Sequence, residues 1–137
     1  MQLIKYLTLG VFLLCITASC SGEKNNDSKN TSVKQAEEVF VYYFHNARRC
    51  ATCRAVESES EKAVKELYGD DVNFEVYSLD SSEGEQKAEE VGAPGQALLI
   101  VSGDKKINIT NEAFMNAKSN PDKLKQIIKD KIDPLIN

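Results

Sequence analysis

The sequence lacks several features that would point to common classes of protein. It has no basic patch beyond Arg48 and Arg49 and a formal net charge of −4, so nucleic acid is not expected as a partner. It has no apolar run long enough for a mature transmembrane helix, since Leu7–Ile16 falls short of the roughly 20 residues needed. Residues 21–35 have almost no apolar side chain, so they cannot bury core surface and are predicted to form a disordered tether.

The apolar run near the start predicts an export signal over Met1–Ser19. A lysine precedes Leu7–Ile16, and the small residues Thr17–Ser19 lead to Cys20 in the manner of a bacterial lipobox. We expect Cys20 to be lipidated and to hold the chain on the periplasmic face of the bacterial cell envelope. Ser21 favours the outer membrane over the inner one. An ordinary signal peptide cut nearby, which would leave Cys20 free, is the alternative.

The four cysteines leave one pair for the folded domain. Cys15 departs with the signal and Cys20 takes the lipid, so only Cys50 and Cys53 remain. A disulfide between residues this close closes a very small loop and stabilises a fold little, but the spacing suits thiol–disulfide exchange. The pair opens a predicted helix, and a helix N-terminus favours a thiolate at Cys50. An inert surface disulfide or an idle thiol pair is the alternative.

The chain is thus divided into a predicted signal over 1–19, a lipidated cysteine and tether over 20–36, and a folded domain over 37–137. Within that domain, hydrophobic periodicity predicts the order β-α-β-α-β-β-α. Val39–Phe44 is continuously apolar, which is typical of a central strand covered on both faces. The other predicted strands are Val72–Leu79, Ala97–Val101 and Lys106–Thr110, and the predicted helices are Cys50–Tyr68, Ser82–Val91 and one from Asn120 to near Pro134, with a single helical turn around Phe114. Two βαβ crossovers are expected to form parallel pairs and the last hairpin an antiparallel edge. We therefore predict an α/β fold, a four-stranded mixed sheet with helices on both faces.

The position of the cysteines within this element order resembles the thioredoxin-like superfamily over residues 38–136. More closely, four stretches are similar to the thioredoxin-like family of nitrophenyl compound nitroreductase subunits of the ArsF type: Tyr42–His45, Arg49–Cys53, Ala55–Glu57 and Gly95–Ile100. The resemblance implies a thioredoxin-like fold with a redox-active disulfide between Cys50 and Cys53 and no other cofactor. It also implies a protein redox partner, either a reductase or a nitroreductase-like enzyme.

The loop before the third strand departs from the thioredoxin pattern. Thioredoxins usually place a cis-proline immediately before that strand, beside the disulfide. Here Pro94 lies three residues before Ala97, and Gln96 occupies the family position. Either Pro94 still serves, or no cis-proline faces the cysteines and Gln96 offers amide hydrogen bonds there. We favour the second interpretation, because a cis bond is essentially confined to proline.

The residues around the cysteines suggest a division of roles. We expect Cys50 to be the attacking thiolate and Cys53, one turn inside the helix, to be the resolving thiol. Arg48 and Arg49 would lower the pKa of Cys50, or they are docking charges for an acidic partner. Glu57, one turn beyond Cys53, could take the proton from that thiol if it is partly buried. A solvated glutamate on the helix surface is the alternative.

The sequence supports more than one function. The first is an envelope thiol–disulfide oxidoreductase or electron-transfer subunit, expected to be a monomer. The second is a soft-metal or arsenite-binding protein using Cys50, Cys53 and His45, which fall short of the four ligands of a structural zinc site. The third is a non-catalytic thioredoxin-like adaptor. His45, at the end of the first strand, is also a candidate proton shuttle, with a loop hydrogen bond as the alternative.

Overall fold

A computed structural model describes residues 37–137, so the predicted signal, the lipidation of Cys20 and the tether lie outside the described residues. The strands are β1 (Val39–His45), β2 (Val72–Ser78), β3 (Ala97–Ser102) and β4 (Lys105–Asn108), and the helices are α1 (Ala51–Tyr68), α2 (Ser82–Val91), α3 (Thr110–Asn116) and α4 (Pro121–Ile136). This is the predicted order, with the short helix α3 in place of the single turn expected around Phe114. Within the described part of the chain, no helix is both long and apolar enough to span a membrane.

The four strands form one mixed sheet in the order β2-β1-β3-β4. β1 pairs in parallel with β2, from Val39 opposite Val72 to His45 opposite Ser78. It pairs antiparallel with β3, and β3 and β4 form the predicted antiparallel hairpin. The prediction that both crossovers make parallel pairs is therefore wrong for the second crossover.

The two crossovers bring the chain back to different edges of the sheet. The 18 residues of α1 span about 27 Å, which exceeds the roughly 23 Å of a seven-residue strand, so the chain returns to the edge where β1 began. The 10 residues of α2 span only about 15 Å. β3 starts near the edge where β2 ends, with Ala97 opposite Phe44. This arrangement places the beginning of β3 beside the edge at which α1 starts.

Apolar side chains cover both faces of the sheet, as the continuous apolar run of β1 predicts. Val39, Val41 and Tyr43 pack on one face with residues of α1, α3 and α4. Tyr42 and Phe44 pack on the other face with residues of α2. The fold is thus α/β and thioredoxin-like, with helices on both faces of a four-stranded mixed sheet. The buried stripe of α1 consists of Cys53, Val56, Ser60, Ala63 and Val64.

The ends of β4 and α4 differ from the prediction for local reasons. β4 stops at Asn108, because Asn108 Oδ1 accepts hydrogen bonds from the N–H (3.0 Å) and the hydroxyl (2.6 Å) of Thr110 and turns the chain into α3. α4 continues through Pro134 to Ile136 instead of ending near that proline. Pro134 lies in the last turn, where its missing N–H costs one helix bond, and Leu135 still packs against the core.

Candidate redox site

Cys50 and Cys53 form a disulfide across the first turn of α1, with their Cα atoms 5.0 Å apart. Cys50 is the N-cap, because its backbone is extended (φ −74°, ψ 166°) and its Sγ accepts a hydrogen bond from the Cys53 N–H at 3.0 Å. Cys50 is solvent-exposed, whereas Cys53 is only 6% exposed. An external sulfur can therefore reach Cys50 and not Cys53, which is the difference in access that the predicted roles require.

Two hydrogen bonds hold the loop between β1 and α1 against the β2–α2 connection. The Ala47 N–H donates to Asp80 Oδ2 at 2.5 Å, and the Leu79 N–H donates to the His45 carbonyl at 2.8 Å. The loop that leads into Cys50 is thus fixed by a distant part of the chain. Sequence reasoning missed Asp80, although a carboxylate directly after the second strand lies where the ends of parallel strands meet.

Arg49 and Glu57 form an ion pair beside the first turn of α1. Their side chains are 28% and 25% exposed, so Glu57 is partly buried and is not the solvated glutamate of the alternative interpretation. The carboxylate balances the charge of Arg49, while Arg48 is exposed to solvent. Arg54, which sequence reasoning also missed, donates from Nη1 to the Arg49 carbonyl at 2.9 Å and holds the backbone before Cys50.

His45 is half-buried and contacts the loop that follows it. Its Nδ1 lies 3.0 Å from the Asn46 carbonyl oxygen, a contact in which the Nδ1–H tautomer is the donor. Between residues 37 and 137, no group of three or more His, Cys, Asp and Glu side chains is placed to hold a metal ion. His45 is therefore not brought to Cys50 and Cys53 as a third metal ligand, and its contact is the loop hydrogen bond of the alternative interpretation.

Tyr43 links the sheet to the buried cysteine. Its hydroxyl donates to the Cys53 carbonyl at 3.0 Å and accepts from Gln96 Nε2 at 3.2 Å, and its side chain is fully buried. Burial raises the pKa of Tyr43, while the hydrogen bond from Gln96 and the charge of Arg49 act in the opposite direction. The sequence analysis places Tyr43 only within the covered apolar run Val39–Phe44. The hydroxyl itself indicates a further role, since a buried tyrosine hydroxyl usually finds a hydrogen-bond partner.

Gln96 and Pro94 border an open pocket before β3. No peptide bond between residues 37 and 137 is cis, which agrees with the interpretation that no cis-proline faces the cysteines. The pocket has a volume of about 470 Å³, and its other lining residues are Asn108, Thr110, Asn111 and Glu112. Gln96 is half-buried and is linked to Cys53 through Tyr43, whereas Pro94 is exposed at the pocket rim.

Comparisons with known proteins do not assign the chain to a family. No protein-family model matches the sequence, and no curated protein matches it either. Among solved structures, a chain described as "Structure of a malarial protein" is similar at 19% identity and a TM-score of 0.47, over 67% of this chain and 94% of that one. A likeness this distant does not bear on function.

Proposed function

We propose that the chain is a thiol–disulfide oxidoreductase, or an electron-transfer subunit, with Cys50 and Cys53 as its redox pair. One observation supports the proposal most, namely that the disulfide joins an exposed Cys50 at the start of α1 to a Cys53 that is 6% exposed. An attacking thiol must reach a sulfur atom of another molecule, whereas a resolving thiol needs to reach only the sulfur of the attacking cysteine. A disulfide that merely braced the fold would stabilise little through so short a loop.

In the reducing direction the reaction consists of two exchanges. The Cys50 thiolate attacks one sulfur of a partner disulfide, forms a mixed disulfide and expels the other partner sulfur as a thiolate. The Cys53 thiolate then attacks Cys50 Sγ, which closes the Cys50–Cys53 disulfide and expels the second partner thiolate. Two electrons pass from the dithiol to the partner, and the protons of the two cysteines pass to the partner thiolates or to solvent. The oxidising direction runs the same steps in reverse.

The groups around the cysteines support both exchanges. The Cys53 N–H at 3.0 Å, the N-terminus of α1 and the exposed charge of Arg48 all favour a thiolate at Cys50. Glu57, partly buried one turn beyond Cys53, is our candidate for taking the proton from Cys53 before the second exchange. Its ion pair with Arg49 keeps that carboxylate close to the site.

The setting we propose is the bacterial cell envelope. The segment over 1–19 and Cys20 support export and lipid anchoring on the periplasmic face, more readily at the outer membrane than the inner one. The resemblance of the cysteine region to nitrophenyl compound nitroreductase subunits supports a reductase or nitroreductase-like enzyme as the protein partner. Processing of Cys20 tests the anchor directly, since Cys20→Ala should abolish incorporation of a labelled fatty acid.

Reduction of insulin in the presence of dithiothreitol tests the activity. We expect the wild-type chain to accelerate insulin precipitation and Cys50→Ser to abolish the acceleration, because the attacking sulfur is then absent. Cys53→Ala should instead trap a partner as a mixed disulfide through Cys50, and mass spectrometry of the trapped species identifies that partner. A wild-type chain with no effect on insulin and a Cys53→Ala variant that traps nothing would together contradict the proposal.

A further inference from the structure

The backbone of Cys53 is held by a hydrogen bond that comes from outside its own helix. The hydroxyl of Tyr43, on β1, donates to the Cys53 carbonyl at 3.0 Å. Gln96, immediately before β3, donates to the same hydroxyl at 3.2 Å. Because the Tyr43 side chain is fully buried, water does not compete for its bond to the Cys53 carbonyl. A residue of β1 and the residue immediately before β3 thus act together on the first turn of α1.

This contact matters most once the disulfide is open. In the oxidised protein the bond between the two sulfurs already fixes Cys53 relative to Cys50. Reduction removes that covalent link from a helix end, which is where helices fray. The hydrogen bond from Tyr43 involves neither sulfur, so it stays available in the dithiol and in the mixed disulfide. Burial raises the pKa of Tyr43, so its hydroxyl remains a neutral donor during the reaction.

We propose that Tyr43 and Gln96 are positioning residues for the resolving step. They hold Cys53 so that its thiolate is aligned to attack Cys50 Sγ in the mixed disulfide, where the Cys50–Cys53 bond forms and the bond from Cys50 to the partner sulfur breaks. The electron pair of the broken bond leaves with the partner thiolate. Intramolecular attack depends steeply on the orientation of the reacting atoms, so a looser first turn lengthens the life of the mixed disulfide. This inference rests on the proposed function.

Reaction of the reduced full chain with dithiobis(nitrobenzoate) separates the two steps. Attack by Cys50 releases one thionitrobenzoate, and attack by Cys53 on the mixed disulfide releases a second, so stopped-flow absorbance rises in two phases. We expect Tyr43→Phe to slow the second phase about tenfold, the factor that one hydrogen bond of typical net strength supplies. The first phase should be unchanged, because Cys50 keeps its N-cap position and its contact with the Cys53 N–H.

Variants of Gln96 test the same network without altering the buried ring. Gln96→Ala should slow the second phase about threefold, since Tyr43 keeps its hydrogen bond to Cys53 but loses the one that it accepts from Gln96. Gln96→Glu should slow it more, because a carboxylate offers the Tyr43 hydroxyl an acceptor that competes with the Cys53 carbonyl. These two variants still test the proposal if Tyr43→Phe does not fold.

Tyr68→Phe is the matched control, because it also removes a tyrosine hydroxyl that makes a hydrogen bond at one end of α1. That hydroxyl donates to Asp133 at 2.8 Å, at the other end of the helix, and both phases should match wild type. The positioning role is wrong if Tyr43→Phe and Gln96→Glu leave the second phase unchanged, or if Tyr68→Phe slows it equally. A wild-type protein that releases only one thionitrobenzoate would contradict the proposed function instead.

Discussion

The two ends of α1 are each fixed by a tyrosine hydroxyl, but the hydroxyls have different partners. At the N-terminal end, Tyr43 bonds to a backbone carbonyl and a side-chain amide, both neutral, and is fully buried. At the C-terminal end, Tyr68 is half-buried and donates to the carboxylate of Asp133 at 2.8 Å, and Asp133 also pairs with Lys129. Neutral partners suit a dry site, where an unbalanced charge would be costly, and ionic partners suit a rim that water reaches.

Under the proposed function, one end of α1 is positioned for chemistry and the other is docked for stability. At the far end, Glu66 of α1 also pairs with Lys125 of α4 at 2.7 Å, so the polar contacts there join two helices. At the near end the hydroxyl of Tyr43 acts on the carbonyl of the buried cysteine. Mutations at the far end should therefore change the free energy of unfolding and leave the thiol chemistry unchanged.

The largest effect should come from removing a core side chain of α4. Leu124 is fully buried against α1 and the sheet, and Leu124→Ala should lower the free energy of unfolding by about 3 kcal/mol, through lost burial and a residual cavity. Urea unfolding of the oxidised protein measures this loss. The rate at which iodoacetamide alkylates Cys50 in the reduced, folded variant should equal that of wild type. A changed alkylation rate would contradict the separation of the two ends.

Tyr68→Phe should have a smaller effect. Loss of the hydrogen bond should lower the free energy of unfolding by about 1 kcal/mol at neutral pH. Burial, and then the hydrogen bond and charge of Asp133, raise the pKa of Tyr68 well above its ordinary value. A group with a raised folded-state pKa contributes stability that is fully present below its unfolded pKa, near 10, and is lost as the pH rises toward the folded value. The free energy of unfolding should therefore fall less steeply above about pH 10 in Tyr68→Phe than in wild type. Equal slopes in urea titrations would show that this hydroxyl is not coupled to folding.

The smallest effect concerns the ion pair at the near end. Glu57→Gln removes the charge that balances Arg49, so the attraction of Arg49 for a thiolate at the adjacent Cys50 should increase. We expect iodoacetamide to alkylate Cys50 about two- to threefold faster at pH 6, the size typical of a partly exposed charge. Glu61→Gln is the matched control, since Glu61 is exposed on the same helix and loses the same charge. Equal acceleration in both variants would assign the effect to net charge and not to the ion pair.

The sequence is sufficient to predict features that depend on residues close together in the chain. The continuous apolar run of β1 predicts a strand buried on both faces, and the structure confirms it. The spacing of Leu124, Ile127, Ile128, Ile132 and Leu135 predicts the apolar stripe of α4. Leu124, Ile128 and Ile132 are buried, and Ile127 and Leu135 are partly buried against the core. The cysteine spacing predicts a pair at the start of α1, with Cys50 accessible and Cys53 inside. Each of these features depends on the period of a helix or strand, which neighbouring residues determine.

The contacts that shape the site lie beyond such local patterns. Asp80 holds the loop before Cys50 although it lies 33 residues after Ala47, and Gln96 reaches Tyr43 across 53 residues. Neither contact can be predicted from the spacing of residues in the sequence, because both depend on which strands become neighbours. The antiparallel pairing of β1 with β3 brings the segment before β3 to the carboxyl end of β1, where the sequence predicts a parallel pair at the second crossover instead.

The sequence by itself determined the element order, the covered central strand and the placement of a cysteine pair at a helix start, because helix and strand periods are local properties. Only the tertiary structure decided what surrounds that pair. The sheet order brought Gln96 to Tyr43 and Tyr43 to Cys53, and the packing of α1 sheltered Glu57 with Arg49. Which residues form these hydrogen bonds and this ion pair depends on their proximity in space, and therefore on the arrangement of the whole domain.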